Sequence, residues 1–441
     1  MIRKRIFPFL LMLLALLLGG CALLTVDEMY VLPKRSEEAS HLQTAIEEAM
    51  VGLEYAAPIS GENQQTVQMA DLTGDGESEY ILFARNTTDK SLHILIFTKV
   101  EEAFLLFDRI ECTGFAFEQA EYAPIDDRAG YELVVGRQLN DGVLRSVAVY
   151  SFAHGTAEQL LGANYVKYLT CDLDLNGKAE LMLIQPEQSK SDNAVAVHYS
   201  FVKGAMERSR EVKLSSTADA IKRIMVSYLH GGEPAVYVAS MMAESAIITD
   251  IFALKNGEIS NISYSAEAGT SVRTLRNYYI YADDIDNDGI LELPSLITMK
   301  PYQDQKSGEQ QYLIRWFSMD MEGNEVEKGF TYHNFQSGWY VSLDKAMSSR
   351  ISVRQTGAQF TFYIWDEDYT KAERLLTISA LTGADREVAA MEDGRFMLRR
   401  TDGVIYAAVL DAQGASDYGI TQEKLIDNFH LIQQDWKTGE T

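Results

Sequence analysis

The stretch DIDNDGILEL (284–293) decides how this chain is read. Aspartates stand at its first, third and fifth positions, a glycine at the sixth and a glutamate at the ninth. Oxygen side chains at every second position let a loop surround a hard dication, since calcium takes about six to eight oxygen ligands at roughly 2.3–2.6 Å. A glycine suits the sixth position because a Cβ is strained in so sharp a turn. One such loop, alone, reads equally well as an Asx-rich turn.

The pattern recurs. DLTGDGESE (71–79) and DLDLNGKAE (172–180) keep oxygen side chains at positions 1, 3 and 5, glycine at 6 and glutamate at 9. The expected ligand sets are Asp71, Thr73, Asp75 and Glu79; Asp172, Asp174, Asn176 and Glu180; and Asp284, Asp286, Asp288 and Glu292. The third set has four carboxylates and is expected to bind calcium tightest; the other two include the neutral Thr73 and Asn176. A degenerate copy, PIDDRAGYE (124–132), keeps only Asp126 and Glu132 and is expected to stay empty. An EF-hand needs a bidentate glutamate at position 12, where this chain has Leu82, Leu183 and Ser295. After each loop comes an apolar run, YILFA, LMLIQ or LPSLI, that reads as a buried strand. A loop opening a strand resembles the FG-GAP/VCBS repeat of integrin-like β-propellers. The likeness rests on these three short loops, with no FG or GAP signature beside them.

A second periodicity covers more of the chain. LHILIFT (92–98), RSVAVYSF (145–152), AVAVHYSF (195–202), AIITDIFAL (246–254), QYLIRWFSM (311–319), FTFYIW (360–365) and VIYAAVL (404–410) recur about every fifty residues. Degenerate first strands of such units, YELVVG (131–136), PAVYVAS (234–240), GWYVSL (338–343) and GRFMLRR (394–400), fit the same register. Four short strands with turns need about 40–50 residues, the size of a propeller blade. The expected fold is therefore all-β: a seven-bladed propeller-like repeat domain over 60–415, or two β-rich domains split near 305–335. Ahead of it, residues 36–53 place Ala39, Leu42, Ala45, Ile46, Ala49, Met50 and Leu53 on one helical stripe. Behind it, 416–441 reads as a short helix and a strand-like HLIQQDW.

The chain opens with Arg3, Lys4 and Arg5, an apolar run and then LGGC (18–21). That pattern is a secretory signal over 1–20, and LGGC resembles a bacterial lipobox, which implies lipidation of Cys21. Two acyl chains hold a protein on a membrane durably at roughly 0.8 kcal/mol per buried CH₂. The expected mature protein is thus anchored on the extracytoplasmic face, with 21–59 as tether and helix. A formal net charge of −25 repels phosphates and excludes nucleic acid as a partner. Cys112 and Cys171 admit a disulfide outside the cytoplasm or burial as small hydrophobes.

No catalytic motif stands out. Calcium is expected in a structural role, and the function expected is a non-enzymatic binding or scaffold module with a protein or glycan partner. The alternative is a propeller enzyme acting on glycans or cell-wall polymer. Such an enzyme needs two carboxylates facing one pocket, and a deep polar pocket would favour it over a flat binding face. The run NYYIYADD (277–284) reads as a core strand or as a sugar-stacking platform.

Overall fold

Alternating apolar and polar positions bounded by glycine and Asx turns give short strands, and these strands pair into six antiparallel sheets. A computed structural model describes residues 37–140, 144–186, 193–242, 246–278, 280–300, 311–365 and 368–432. The expected signal segment, Cys21 and the tether lie outside the described residues. Among the described residues, no helix is long and apolar enough to cross a membrane. The contacts divide the chain into two units: 1–57, 65–70 and 78–113, and then 58–64, 71–77 and 114–441.

The smaller unit holds the first sheet, with strands Leu53–Tyr55, Val67–Ala70, Glu79–Asn86, Leu92–Val100 and Ala103–Cys112. The expected helix is present as α1, Glu37–Ala49, with Glu37 and Glu38 complementing the positive end of its dipole. Ile46 on its apolar stripe is buried with Leu82, Ala84, Leu95 and Phe97 of the sheet.

The larger unit holds five sheets that share cores in chain order. The second sheet runs Ala116–Ala123, Glu132–Gln138, Arg145–Ser151 and Glu158–Tyr165. Val134 and Val149 pack on Leu181, Leu183 and Val197 of the third, built from Lys167–Cys171, Glu180–Gln185, Val195–Val202, Ala205–Arg208 and Val212–Lys213. The third sheet's opposite face, with Met182, Ile184 and Ala196, meets Val236, Val238 and Phe252 of the fourth. The fourth comprises Ile221–Tyr228, Pro234–Met241, Ile247–Lys255 and Glu258–Asn261, and its Tyr237 and Ile251 pack on Leu293 and Phe317 of the fifth. Leu313, Tyr332 and Trp339 of the fifth meet Phe360, Phe362 and Ile378 of the sixth. Each of the middle sheets is apolar on both faces, which explains unbroken buried runs such as Pro234–Ser240 at the centre of the fourth.

Among the described residues six sheets stand in place of the seven expected units, and the difference lies at the C-terminal end. GWYVSL was read as opening a new unit. Trp339–Leu343 instead closes the fifth sheet, after Leu293–Thr298, Tyr312–Met319 and Glu325–Asn334. Its outer side takes a fifth strand, Phe429–Leu431, which follows the short helix Gln422–Asp427. FTFYIW and VIYAAVL, read as two units, share the sixth sheet: Ile351–Thr356, Gln359–Ile364, Glu373–Leu381, Ile405–Leu410 and Phe396–Arg400 in spatial order. The last hairpin enters reversed, so Ile405–Leu410 lies inside and Phe396–Arg400 forms the edge. Apolar alternation marks a strand but does not name its partner. Cys112 and Cys171 carry thiols and no disulfide.

Candidate functional site

The acidic loops are hairpin connections with one common closure. The residue before position 1 pairs antiparallel with the glutamate at position 9: Ala70 with Glu79, Ala123 with Glu132, Cys171 with Glu180, and Asp283 with Glu292. The degenerate copy therefore keeps the geometry of the full ones. Backbone strain sits at fixed places too. Position 4 has positive φ in each full loop (Gly74 75°, Leu175 59°, Asn287 60°), as does position 6 (Gly76 90°, Gly177 84°, Gly289 87°). A Cβ on Gly177 or Gly289 would meet no atom within 4 Å, so the left-handed backbone alone calls for glycine there.

The template side chains also hold the loop together. Asp172 accepts from the amides of Asn176 (3.1 Å) and Gly177 (2.8 Å), and Asp284 accepts from those of Asp288 (3.0 Å) and Gly289 (2.9 Å). Asp71 does the same for Gly74 (2.7 Å) and Gly76 (3.0 Å). At position 5, Asp75, Asn176 and Asp288 each accept from the amide two residues on. The position-9 glutamate reaches back under the loop to accept from the position-2 amide: Leu173 to Glu180 at 2.7 Å, Ile285 to Glu292 at 3.0 Å, and Ile125 to Glu132 at 2.7 Å. These bonds give the recurring acids a structural task as Asx turns as well as a ligand's chemistry.

In two loops the carboxylates converge. Ligand oxygens of Asp172, Asp174 and Glu180 lie within 4.8 Å of one another, as do those of Asp284, Asp286 and Glu292. Asn176 donates from its Nδ2 to Asp174 of the first group (2.9 Å), while Asp288 faces Lys328. The first loop is divided by the unit boundary, with Asp71, Thr73 and Asp75 in the larger unit and Glu79 buried in the smaller. Burial pushes the Glu180 carboxyl up to about 7, with Asp174 and Asp172 raising it further against the Leu173 hydrogen bond. Burial likewise lifts Glu292 to about 7. Both shifts express the cost of burying a carboxylate charge, which a nearby cation offsets.

The two convergent loops differ in what faces them. Beside 172–180 is a cavity of about 460 Å³ that Asp174, Glu180 and His198 line together. His198 is only 4% exposed, and its Nε2 has no hydrogen-bond partner among the described residues. Burial depresses its pKa and so favours the neutral imidazole, an available lone-pair donor. Beside 284–292 stands Lys328, its Nζ 3.4 Å from Asp286 and 3.7 Å from Glu292 and paired with Asp288. Burial opposes the Lys328 ammonium, but the Asp288 hydrogen bond and the nearby Asp286 and Glu292 outweigh it and raise its pKa. The degenerate loop has a cation of its own, Arg128, whose Nε lies 3.7 Å from Asp126.

A second kind of site lies at the sixth sheet. A cleft of about 780 Å³ is lined by Lys300, Arg350, Trp365, Asp368, Lys371, Glu373 and Tyr418, with Ile364 at its base. Among the described residues its lining carries three cations and two carboxylates, in a chain of net charge −25. Lys300 lies over the Trp365 ring at 5.1 Å and Arg350 over Tyr418 at 5.5 Å, and these cation–π contacts fix the two long side chains. Trp365 is held by its Nε1 donating to Ser352 Oγ (2.6 Å). Asp368 Oδ1 accepts from the Thr370 hydroxyl (2.6 Å) and amide (3.0 Å), which holds its pKa below the usual carboxylate range. The cleft is not marked in the sequence because Lys300, Arg350 and Tyr418 join the 364–373 stretch only in the fold. The tyrosine run of 277–284 is divided: Tyr281 is wholly buried, Tyr278 packs at 5.1 Å on Phe335 with the rings tilted by 48°, and Tyr279 lies outside the described residues.

No family model and no curated protein matches the chain. Among solved structures it is similar to the exotype rhamnogalacturonan lyase YesX at 11% identity, covering 74% of this chain and 72% of that one with a TM-score of 0.30. It is similar to the Bacillus licheniformis rhamnogalacturonan lyase PL11 at 11% identity, covering 80% and 91% with a TM-score of 0.31. It is also similar to TolB from Acinetobacter baumannii at 11% identity, covering 76% and 68% with a TM-score of 0.24. Lyases are among these likenesses, against the expectation of a protein without catalytic activity. At these TM-scores they assign this chain neither a reaction nor a substrate.

Proposed function

We propose that the protein is a β-propeller-like enzyme that acts on an anionic glycan in the cleft at the sixth sheet. The observation that carries this reading is the pair Asp368 and Glu373 facing one polar cleft beside Lys300, Arg350 and Lys371. Two carboxylates on one pocket are the minimum for acid–base cleavage of a glycosidic bond. Asp368, kept ionised by Thr370, is suited to stabilise as a carboxylate the positive charge that develops on the sugar ring, and Glu373 is its proton-transferring partner. The cations suit a substrate carboxylate, which planar guanidinium and compact ammonium groups bind by charge-assisted hydrogen bonds. Trp365 and Tyr418 add apolar ring surface of the kind a pyranose covers.

The reading extends to the acidic loops and the N-terminus. Calcium fits the 172–180 loop, where the oxygens of three carboxylates converge. Bound there, calcium would neutralise Asp172, Asp174 and Glu180 and brace the hairpin; no step of the cleft's chemistry passes through it. Lipidation at Cys21 would hold the enzyme at the extracytoplasmic membrane face, within reach of cell-surface polymer.

The test is cleavage of polygalacturonate, alginate and a neutral mannan, followed by new reducing ends and by the ultraviolet absorbance of unsaturated uronates. The expected result is cleavage of an anionic polymer, reduced at least about a hundredfold in Asp368→Asn or Glu373→Gln. Lys300→Ala and Arg350→Ala should raise KM more than they lower kcat. Wild-type protein that cleaves none of these polymers contradicts the reading.

A further inference from the structure

We propose that Lys328 is the resident cation of the 284–292 loop, a tethered ammonium standing where a divalent ion would stand. Calcium is thereby directed to the 172–180 loop. The proposal rests on the calcium reading above and reverses the affinity order that a count of carboxylates suggests.

Two independent observations support it. The first is the contact geometry. One ammonium reaches carboxylates at positions 3, 5 and 9 of the same loop: Asp286 at 3.4 Å, Asp288 by a hydrogen bond, and Glu292 at 3.7 Å. Glu292 Oε1 is wholly buried and has no hydrogen-bond partner among the described residues; it faces the ammonium beyond hydrogen-bond range. The second is the backbone. Lys328 lies on the strand Glu325–Asn334, whose ladder with Tyr312–Met319 runs from Trp316–Gly329 directly to Phe317–Glu327. Lys328 is the residue the register skips, the extra member of a β-bulge. A bulge re-aims one side chain without breaking the sheet. Here it turns a lysine of the third strand onto the loop that leads into the first strand of the same sheet, leaving its side chain only 14% exposed.

The electrostatics follow. A tethered ammonium carries one charge, so Lys328 neutralises part of the four-carboxylate set and needs no ion from solution. Entry of calcium would require displacing it at the cost of leaving an ammonium half-buried beside a dication. The 172–180 loop has no such ion pair in its metal cluster among the described residues: its own Lys178 turns away and donates to the Arg128 carbonyl at 3.3 Å.

Calcium titration calorimetry on the chelator-treated full chain tests this. In wild type, Asp174→Asn should remove a calcium site and Asp286→Asn should remove none. Lys328→Met should gain one site, with at least a tenfold rise in the affinity of the 284–292 loop, and adding Asp286→Asn should abolish the gain. Lys328→Arg retains the cation and should gain nothing. If Lys328→Met does not fold, Lys328→Gln carries the same expectation. A folded Lys328→Met or Lys328→Gln with no added site overturns the proposal, as does loss of a wild-type site in Asp286→Asn. Absence of any Asp174-dependent site would instead refute the calcium reading of the 172–180 loop, and a gained site in Lys328→Met would still support the role of Lys328.

Discussion

The loops 172–180 and 284–292 share a template, a hairpin closure and nearly every internal hydrogen bond, yet they present different chemistry to solvent. The first converges three carboxylates beside a cavity and a neutral imidazole. The second converges three carboxylates on an ammonium. The degenerate 124–132 loop extends the series with Arg128 beside Asp126. Position-specific acids therefore define the turn, and the residue facing the turn decides what neutralises it.

The largest effect that sharpens this contrast is expected at Lys328. Without calcium, Lys328→Met should cost about 2 kcal/mol, below the full penalty for breaking a buried ion pair because Asp286 and Asp288 are partly exposed. Lys178→Met in the other loop should cost under about 1 kcal/mol. Chemical denaturation in chelator measures both, and equal costs would break the contrast.

The next effect is a pH dependence. Glu180 and Glu292 are each raised to about 7 in the folded chain, above the ordinary value of 4.5. A raised carboxyl pKa stabilises the fold below the unfolded value and loses that contribution as pH rises through the folded value. Metal-free protein should thus lose stability between pH 5 and 8, by on the order of 2 kcal/mol per group. Glu180→Gln and Glu292→Gln should each flatten the profile. Saturating calcium should flatten only the share that Glu180→Gln removes. Urea melts across that range are the measurement.

The smallest effect concerns position 4. Leu175 holds φ 59° and Asn287 holds φ 60°. The left-handed region costs a branched side chain roughly 1 kcal/mol and suits asparagine. Leu175→Asn should raise stability by up to about 1 kcal/mol and Asn287→Leu should lower it by the same amount. Thermal melts of the pair decide this.

How far these features were legible in the sequence follows from their range along the chain. The hairpin loops were legible because Asp, Gly and Glu act on one another within nine residues, and α1 because its stripe is equally local. The strands were legible as strands, but the partners of Trp339–Leu343 and Ile405–Leu410 were not, since pairing joins distant segments. Lys328 lies 42 residues from Asp286 and owes its aim to a bulge, which leaves no sequence signature. Arg128 at position 5 of the degenerate loop was the one visible hint that a basic side chain can stand in for the ion. The cleft adds Lys300, Arg350 and Tyr418 to residues of the 364–373 stretch, and that meeting of distant segments left no local pattern.

The most direct measurement is anomalous diffraction from crystals grown in calcium. The account predicts a calcium peak among Asp172, Asp174 and Glu180, with Lys328 and no peak among Asp284, Asp286 and Glu292. A calcium peak in the 284–292 loop with Lys328 swung away, or none at 172–180, would contradict it.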